Sequence, residues 1–486
     1  MTRPSGSGTT RPVRGPAAPL RGADRLAEGL TALREAWQVP GVGVTVVRGD
    51  EAAVFTDGTR DLSTGAPLTP HTLFPLGSLT KSVIAAQLAR LVAQGLTGWD
   101  TGHLTTVLPQ GAPRDGYTLT QLLTHSSGLP SYDLLLAGCA DTSPGEAARG
   151  RLPHLVTVRP PGGDRFSYSD LAYVLACHIA EETAGRPWDR LLGDILSELG
   201  VRGRRPGPSG DFAHACEPDG TGGLTDTGPV RLSGLSDVIS GVWASPADMV
   251  ALLRFHLFGH GSRQRLLDDR VLAQLRTPRM PAPTLSANHP ACVEADGYGY
   301  GWLVGRYRGE PALVHSSSVG ALRGMTVLLP DRDLAVNVFC NTGVRHSPGR
   351  AHCCFRCAVT FSLIDAIDDG HERGREHRLP AGEPERMAGP APGRVADLPS
   401  LEALPGTYHH PGFGFARIEP NASGPGAVFR YGPLTGAVRR AGNGTLFTVC
   451  PADPGPIALA PVGTDRLAIR MERSVPAFEF TRAAAR

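Results

Sequence analysis

Thr72-Leu73-Phe74-Pro75-Leu76-Gly77-Ser78-Leu79-Thr80-Lys81-Ser82 is the most informative stretch of this chain. Lys81 is the only lysine among 48 Lys and Arg residues, and all the others are arginine. Arginine stays protonated at any workable pH, whereas a desolvated lysine can give up its proton. A chain that writes Arg wherever it needs a cation therefore asks what position 81 requires that Arg does not supply. Its neighbours answer with S-x-x-K, Ser78 to Lys81, at the opening of an apolar stretch. Val83, Ile84, Leu88, Leu91 and Val92 recur at helical spacing, so Ser78 to Gly95 reads as a buried helix that stops at Gly95. A three-residue spacing on a helix puts Ser78 and Lys81 on one face. A neutral Lys81 amine there can take the Ser78 proton and activate a poor nucleophile. Free N–H groups at the helix start favour negative charge near Ser78, and Gly77 keeps the backbone approachable. S-x-x-K alone is a weak pattern, and a leftover surface lysine in a biased composition would also satisfy it.

The bulk properties narrow the function classes. At 486 residues the chain suggests two or three units rather than one small core. A hydrophobic content of 41% and a charged content of 19% are ordinary for a soluble globular protein. A net charge of +2 makes no electrostatic case for nucleic acid or an anionic membrane. No apolar run approaches the ~20 residues of a membrane helix. Residues 1–22 are rich in Arg, Pro, Gly, Ser and Thr without an apolar segment, so a disordered tail is expected rather than an export signal, and a cytoplasmic location with it. The nine cysteines are odd in number and scattered, unlike a disulfide framework. His352, Cys353, Cys354 and Cys357 form a cluster with no second C-x-x-C pair opposite; buried structural thiols are expected there, and no metal. A phosphate loop ending in Gly-Lys is excluded because the sole Lys lies elsewhere, and His371-Glu372 lacks the second His of a zinc helix, position 375 being Arg. No cofactor is expected.

Coarse periodicity outlines the domains. Ala23 to Trp37, Leu171 to Glu182 and Pro246 to Phe258 read as helices. Val42–Val47, Ala53–Phe55, Gly301–Val304, Ala312–Val314, Met325–Leu329 and Ala335–Phe339 read as strands. Strands at both ends of one unit with helices between predict a mixed α/β (α+β) domain over 23–367 whose sheet is assembled from distant segments. Residues 368–400, rich in Gly, Pro, Glu and Arg, read as a linker. Residues 401–486 then change to short strands, among them Ala427–Tyr431, Thr445–Cys450, Ile457–Ala460 and Ala477–Thr481, with Asn443-Gly444 as a hairpin turn. A small all-β domain is expected.

Two blocks carry a family resemblance. Thr72–Ser82, together with Leu122-Leu123-Thr124-His125-Ser126-Ser127-Gly128-Leu129-Pro130, resembles the serine β-lactamase and penicillin-binding-protein family, in its class C and D-alanyl-D-alanine carboxypeptidase branch. Gly241 to Asp248 also looks like a block of that family, with Ser245 a helix N-cap. The resemblance covers about residues 25 to 365. It implies a β-lactamase/transpeptidase-like mixed sheet flanked by helices with a helical subdomain, and the C-terminal strands look like the lipocalin-like barrel of some members.

The resemblance also implies site residues. Phe166-Ser167-Tyr168-Ser169-Asp170 stands where the family has Tyr-x-Asn, so Tyr168 would shuttle protons among Ser78, Lys81 and the leaving group, with its pKa lowered by Lys81. Asp170 departs from the family Asn. An ionised carboxylate offers no N–H to a substrate carbonyl, but it would pair with Lys81 and keep it protonated, favouring Tyr168 as the base. Asp170 would also serve as N-cap of the following helix. His125 is expected to be structural. His315-Ser316-Ser317 takes the place of the Lys/His-x-Gly strand, with His315 in the cationic position as in the esterase-like branch. Ser317 stands where Gly is usual and would narrow the slot beside the strand. Backbone N–H groups of Ser78 and Ser318 would form the oxyanion hole.

The implied function is a serine hydrolase or acyltransferase acting through an acyl-serine on a small ester, thioester or amide. Esterases, D-amino-acid peptidases, transacylases and peptide-cyclising thioesterases share this frame. The expected partners are a small-molecule or peptidyl acyl substrate and, for acyl transfer, a carrier protein; no nucleic acid and no membrane are expected. The alternative is a binding or regulatory protein on a catalytically impaired frame, to which the changes at Asp170 and Ser317 point.

Overall fold

The computed structural model describes residues 18–20, 23–102, 116–132, 146–156, 165–201, 203, 210–218, 223–230, 232, 234–282, 293–343, 354–368, 404–422, 426–432, 434–440, 445–450, 453–470 and 477–483. Residues 369–400 of the linker, most of 131–163 and parts of 201–234 lie outside the described residues, as do His352 and Cys353.

The large sheet contains β1 (Gly41–Arg48), β2 (Glu51–Asp61), β3 (Val293–Tyr298), β4 (Leu303–Tyr307), β5 (Glu310–Val319), β6 (Leu322–Leu329) and β7 (Leu334–Cys340), in the spatial order β2-β1-β7-β6-β5-β4-β3. The pairing of β1 with β7, Val44 opposite Val338, closes the unit across its whole length. Every residue of β7 is buried, as a central strand covered on both faces requires. The tail reading needs correction: Ala18–Pro19 adds to β2 as a parallel strand and Leu20 is buried, so this part of the first 22 residues belongs to the fold. An apolar Leu next to an unpaired sheet edge has a place to go, which composition does not reveal.

Period-two alternation splits the core into two layers. Val44, Val46, Val336, Val338 and Met325 pack with Leu30 of α1 (Ala23–Ala36), with Trp37 just after it, and with Phe355, Val359 and Ile364 near the end of the domain. On the other face Val47, Ala335, Leu328 and Phe339 share a core with α2 (Thr80–Ala93), α3 (Asp170–Ala184) and α4 (Pro246–Phe258). The active-site helices lie on this second face. Ser245 caps α4 with a reciprocal Asp248 capping box, as its sequence requires, and Gly259 ends it at φ 74°. The segment Phe355–Asp368, α5, covers the opposite face.

The C-terminal strands β8 (Gly406–His410), β9 (Gly414–Pro420), β10 (Ala427–Tyr431), β11 (Leu434–Arg440), β12 (Leu446–Cys450), β13 (Asp453–Val462), β14 (Arg466–Arg470) and β15 (Phe478–Arg482) form a closed barrel. Ala416, Ile418, Phe429, Tyr431, Leu459, Ile469 and Phe480 are fully buried, so side chains fill it. Arg440 pairs with Leu446, while the Asn443-Gly444 turn between them lies outside the described residues. Phe413 and Phe478 pack edge-on against Tyr132, with ring centroids 5.2 and 5.5 Å away, and dock the barrel on the catalytic domain.

Candidate active site

Gly77–Leu79 is a single 3-10 turn that runs into α2. Gly77 has φ 53°, which a β-carbon disfavours, and a β-carbon built there would lie 2.9 Å from Val319 Cγ2, 3.2 Å from Ser317 Cβ and 3.4 Å from Ser318 N. The missing side chain lets the nucleophile turn press against the end of β5. Ser78 remains partly exposed within a run of buried residues. The Lys81 ammonium, fully buried, donates to Ser78 Oγ at 3.2 Å and pairs with Asp170 Oδ1 at 2.5 Å. It lies 5.0 Å from the centre of the Tyr168 ring and 5.6 Å from that of Tyr173. Burial works against its charge, but Asp170 and then Tyr168 outweigh burial and hold its pKa well above the ordinary lysine value. Lys81 is therefore an ammonium in the resting site.

Tyr168 hydrogen-bonds through its side chain with Ser78 and Lys81. Its pKa is raised rather than lowered: burial dominates, and Asp170 adds to it, against the pull of Lys81. The expectation of a Tyr168 acidified by Lys81 is thereby corrected, because burial penalises a phenolate more than one neighbouring cation favours it. Asp170 also occupies a different station from the expected cap. Ser169 is the N-cap of α3, its Oγ accepting from Ala172 N at 3.0 Å and donating to Pro130 O at 2.8 Å. Asp170 is the first helical residue, where a carboxylate also suits the helix dipole. A Ser preceding an Asp at a helix start carries this signal in the sequence, since the residue before the first helical one caps.

His125 brackets Tyr168 from both sides. Its carbonyl accepts from Ser167 N at 2.8 Å and its Nδ1 from Ser169 N at 3.0 Å. The ring lies 4.2 Å from that of Tyr168 and 4.7 Å from that of Tyr298. His125 has φ 57° and no exposed surface. Burial, then Lys81 and His315, push its pKa well below the usual histidine value, so the ring is neutral. It positions Tyr168.

On β5, His315 is buried, with Nδ1 2.8 Å from Ser316 O and Nε2 3.3 Å from the Tyr298 hydroxyl. Tyr298 thus links His315 to the His125–Tyr168 stack. Ser317 is buried and wedged between two glycines: its Oγ would lie 2.5 Å from a β-carbon on Gly324, directly across on β6. Gly77 and Gly324 supply the room that a Gly at 317 would otherwise provide. Ser318 is exposed, with its amide beside the nucleophile turn. The structure brings Ser78, Lys81, Tyr168 and Asp170 into direct contact and sets Ser317 and Ser318 against them, with His315 joined through Tyr298.

Outside this group, Asp61, His214 and Asp226 place ligand-type atoms within 4.8 Å of one another. Asp61 Oδ1 already accepts from the Ser63 and Thr64 amides, Asp226 Oδ1 accepts from the Gly228 amide, and His214 Nδ1 lies 3.1 Å from Asp226 Oδ2. The three tie the turn after β2 to the hairpin Ala215–Pro218/Leu224–Gly228. Cys177, Cys216, Cys340, Cys354 and Cys357 are buried thiols without disulfides. No helix among the described residues is long and apolar enough to cross a membrane.

Known proteins resemble this chain in sequence and in fold. Penicillin-binding protein 4 of Amycolatopsis lactamdurans is 25% identical over 334 residues, 66% of this chain and 85% of that protein. Esterase EstB of Burkholderia gladioli is 38% identical over 113 residues, 22% of this chain and 29% of the esterase. The octameric penicillin-binding protein homologue from Pyrococcus abyssi superposes with a TM-score of 0.57 at 18% identity, covering 95% of this chain and all of that one, barrel included, which establishes the fold. Residues 28–352 match the sequence model of the Beta-lactamase family. With the nucleophile turn, the buried lysine and the flanking sheet edge in place, the chain belongs to the β-lactamase family of serine hydrolases.

Proposed function

We propose that this enzyme transfers acyl groups through an acyl-Ser78 intermediate, acting on a small ester, thioester or amide. The observation that carries this reading is the position of Lys81 Nζ, 3.2 Å from Ser78 Oγ and 2.5 Å from Asp170 Oδ1, at a nucleophile turn whose Gly77 lies against the Ser318 amide. A protonated Lys81 donates to Ser78 Oγ, which turns the Ser78 proton toward Tyr168. A neutral Tyr168 accepts that proton while passing its own to the leaving oxygen, sulfur or nitrogen, so no phenolate has to form. The bond from Ser78 Oγ to the acyl carbon forms, the leaving-group bond breaks, and the Ser78 and Ser318 N–H groups receive the negative charge on the carbonyl oxygen. Removing one such donor costs about 2.7–4 kcal/mol in a comparable site. Water, an amine or an alcohol then reverses the steps. The names of the relatives, a penicillin-binding protein and an esterase, support serine acyl transfer. A peptidyl acyl group or an acyl thioester delivered by a carrier protein are forms that the substrate takes.

The test is intact mass after incubation with activated esters and acyl thioesters. The wild type is expected to gain one acyl group, Ser78→Ala none, and Lys81→Arg to react about 100-fold more slowly or worse. If the wild type takes up no acyl group across the panel and a fluorophosphonate leaves Ser78 unlabelled, the reading fails in favour of a binding protein.

A further inference from the structure

The sheet face opposite Ser78 holds an unusual cation. Arg356, in the first turn of α5, is only 9% exposed. Its Nη1 donates to Ser317 O at 3.0 Å and to Gly324 O at 2.9 Å. The thiols of Cys354, Cys357 and Cys340 surround the guanidinium electrostatically, and no described carboxylate forms an ion pair with it. Burial opposes its charge, but Cys354 and Cys357 outweigh burial, so it stays a cation. A hydrogen bond with Cys357, 3.3 Å away, and the field of Arg356 pull the Cys354 thiol down against burial.

Burying a guanidinium against thiols and carbonyls is expensive, and an apolar side chain would anchor α5 at less cost. What the cation does instead follows from the covalent geometry of the peptide it touches. Ser317 O and Ser318 N belong to one planar trans peptide, so the carbonyl and the N–H point in opposite directions. The carbonyl end faces β6 and Arg356, and the N–H end lies beside the Gly77–Ser78 turn. We infer that Arg356 is a positioning residue of the oxyanion hole: it pins the Ser317–Ser318 peptide and, by drawing electron density to the carbonyl oxygen, makes the Ser318 N–H a stronger donor to the developing oxyanion. Hydrogen bonds to an ionised donor are roughly twice as strong as neutral ones, and bonds in a chain strengthen one another by ~10–30% each. This inference rests on the acyl-Ser78 reading.

The experiment uses the full-length protein acylated by a slowly hydrolysed ester carrying a ¹³C-labelled carbonyl. Difference infrared spectra read the acyl carbonyl stretch, which falls as oxyanion donors strengthen. Arg356→Met keeps the stem and removes the charge. It is expected to raise that frequency and to lower kcat about 10- to 100-fold, with KM changed less than about threefold. Arg356→Gln reads the same quantity if the Met variant does not fold, and Arg356→Lys is expected to recover part of both the frequency and the rate. A folded Met or Gln variant with the wild-type carbonyl frequency overturns the inference and leaves Arg356 a packing residue. A wild type that forms no acyl adduct overturns the acyl-Ser78 reading itself, and this inference with it.

Discussion

The Asp170 carboxylate reaches Lys81 Nζ at 2.5 Å because Ser169, one residue earlier, takes the capping duty of α3. Asp170→Ala leaves a fully buried ammonium without its counter-charge, and breaking such a pair costs about 3–5 kcal/mol. Asp170→Asn keeps the shape and is expected to lose less stability. Because Asp170 is the main force raising the Lys81 pKa, both variants should free the amine at lower pH and add a limb to the rate profile that rises with pH. Urea unfolding together with pH–rate profiles checks this. Wild-type stability in Asp170→Ala would show that the pair contributes nothing.

Replacing Gly77 with Ala forces a β-carbon at φ 53° to within 2.9 Å of Val319 Cγ2. The conformation alone costs about 1–2 kcal/mol. The larger effect is expected on chemistry, since displacing Ser78 by about 1 Å from Ser318 N lowers kcat about 100-fold. Steady-state kinetics and thermal melts on the same sample separate the two. A variant that loses stability but keeps kcat would contradict the tight approach of the turn to β5.

His125→Asn removes the ring stacked on Tyr168 while keeping a residue that tolerates positive φ. The expected result is a kcat reduced about tenfold or more, with no titration near pH 6.5 lost from the rate profile, because the wild-type ring is already neutral there. Loss of an acid limb near that pH would make His125 a proton carrier instead.

Stability should hold a plateau across neutral pH and decline on the acid side. Burial, then Arg276, lowers the His256 pKa to about 3, so the fold binds this histidine neutral. Its contribution is complete above the unfolded value of about 6.5 and is lost as pH falls toward 3, by about 1.4 kcal/mol per pH unit. Lys81 has the opposite sign: its raised pKa contributes fully below the unfolded value of about 10.4 and is lost only above it. Urea midpoints between pH 7.5 and 4.5 should fall in the wild type and fall less steeply in His256→Gln, whose amide can still meet Ser82 Oγ, 3.1 Å from His256 Nε2. An equal slope in both proteins would remove His256 as the cause.

Legibility varied with how local the signal was. The helix Pro246–Phe258 was readable to its ends because its cap, capping box and terminal Gly are all adjacent in sequence. The strand Val293–Tyr298 is not legible in the sequence because Asp296 and Gly297 interrupt its alternation, and pairing with β4 holds it extended. The helix Trp188–Leu199 is legible from its spacing, with Trp188, Leu191, Ile195 and Leu199 buried.

The chain's residue order was enough to place Ser78 beside Lys81, since three positions at a helix start fall on one side whatever surrounds them. It was enough, too, for the mixed domain and the separate β-domain, because hydrophobic period and composition are local quantities. Folding in three dimensions settled the rest: that Asp170 faces Lys81 rather than capping α3, that Tyr168 stays neutral, and that Arg356 reaches the back of the oxyanion strand. Those outcomes depend on burial and on contacts between residues tens of positions apart, and burial is a property of the packed sheet that no short stretch of sequence contains.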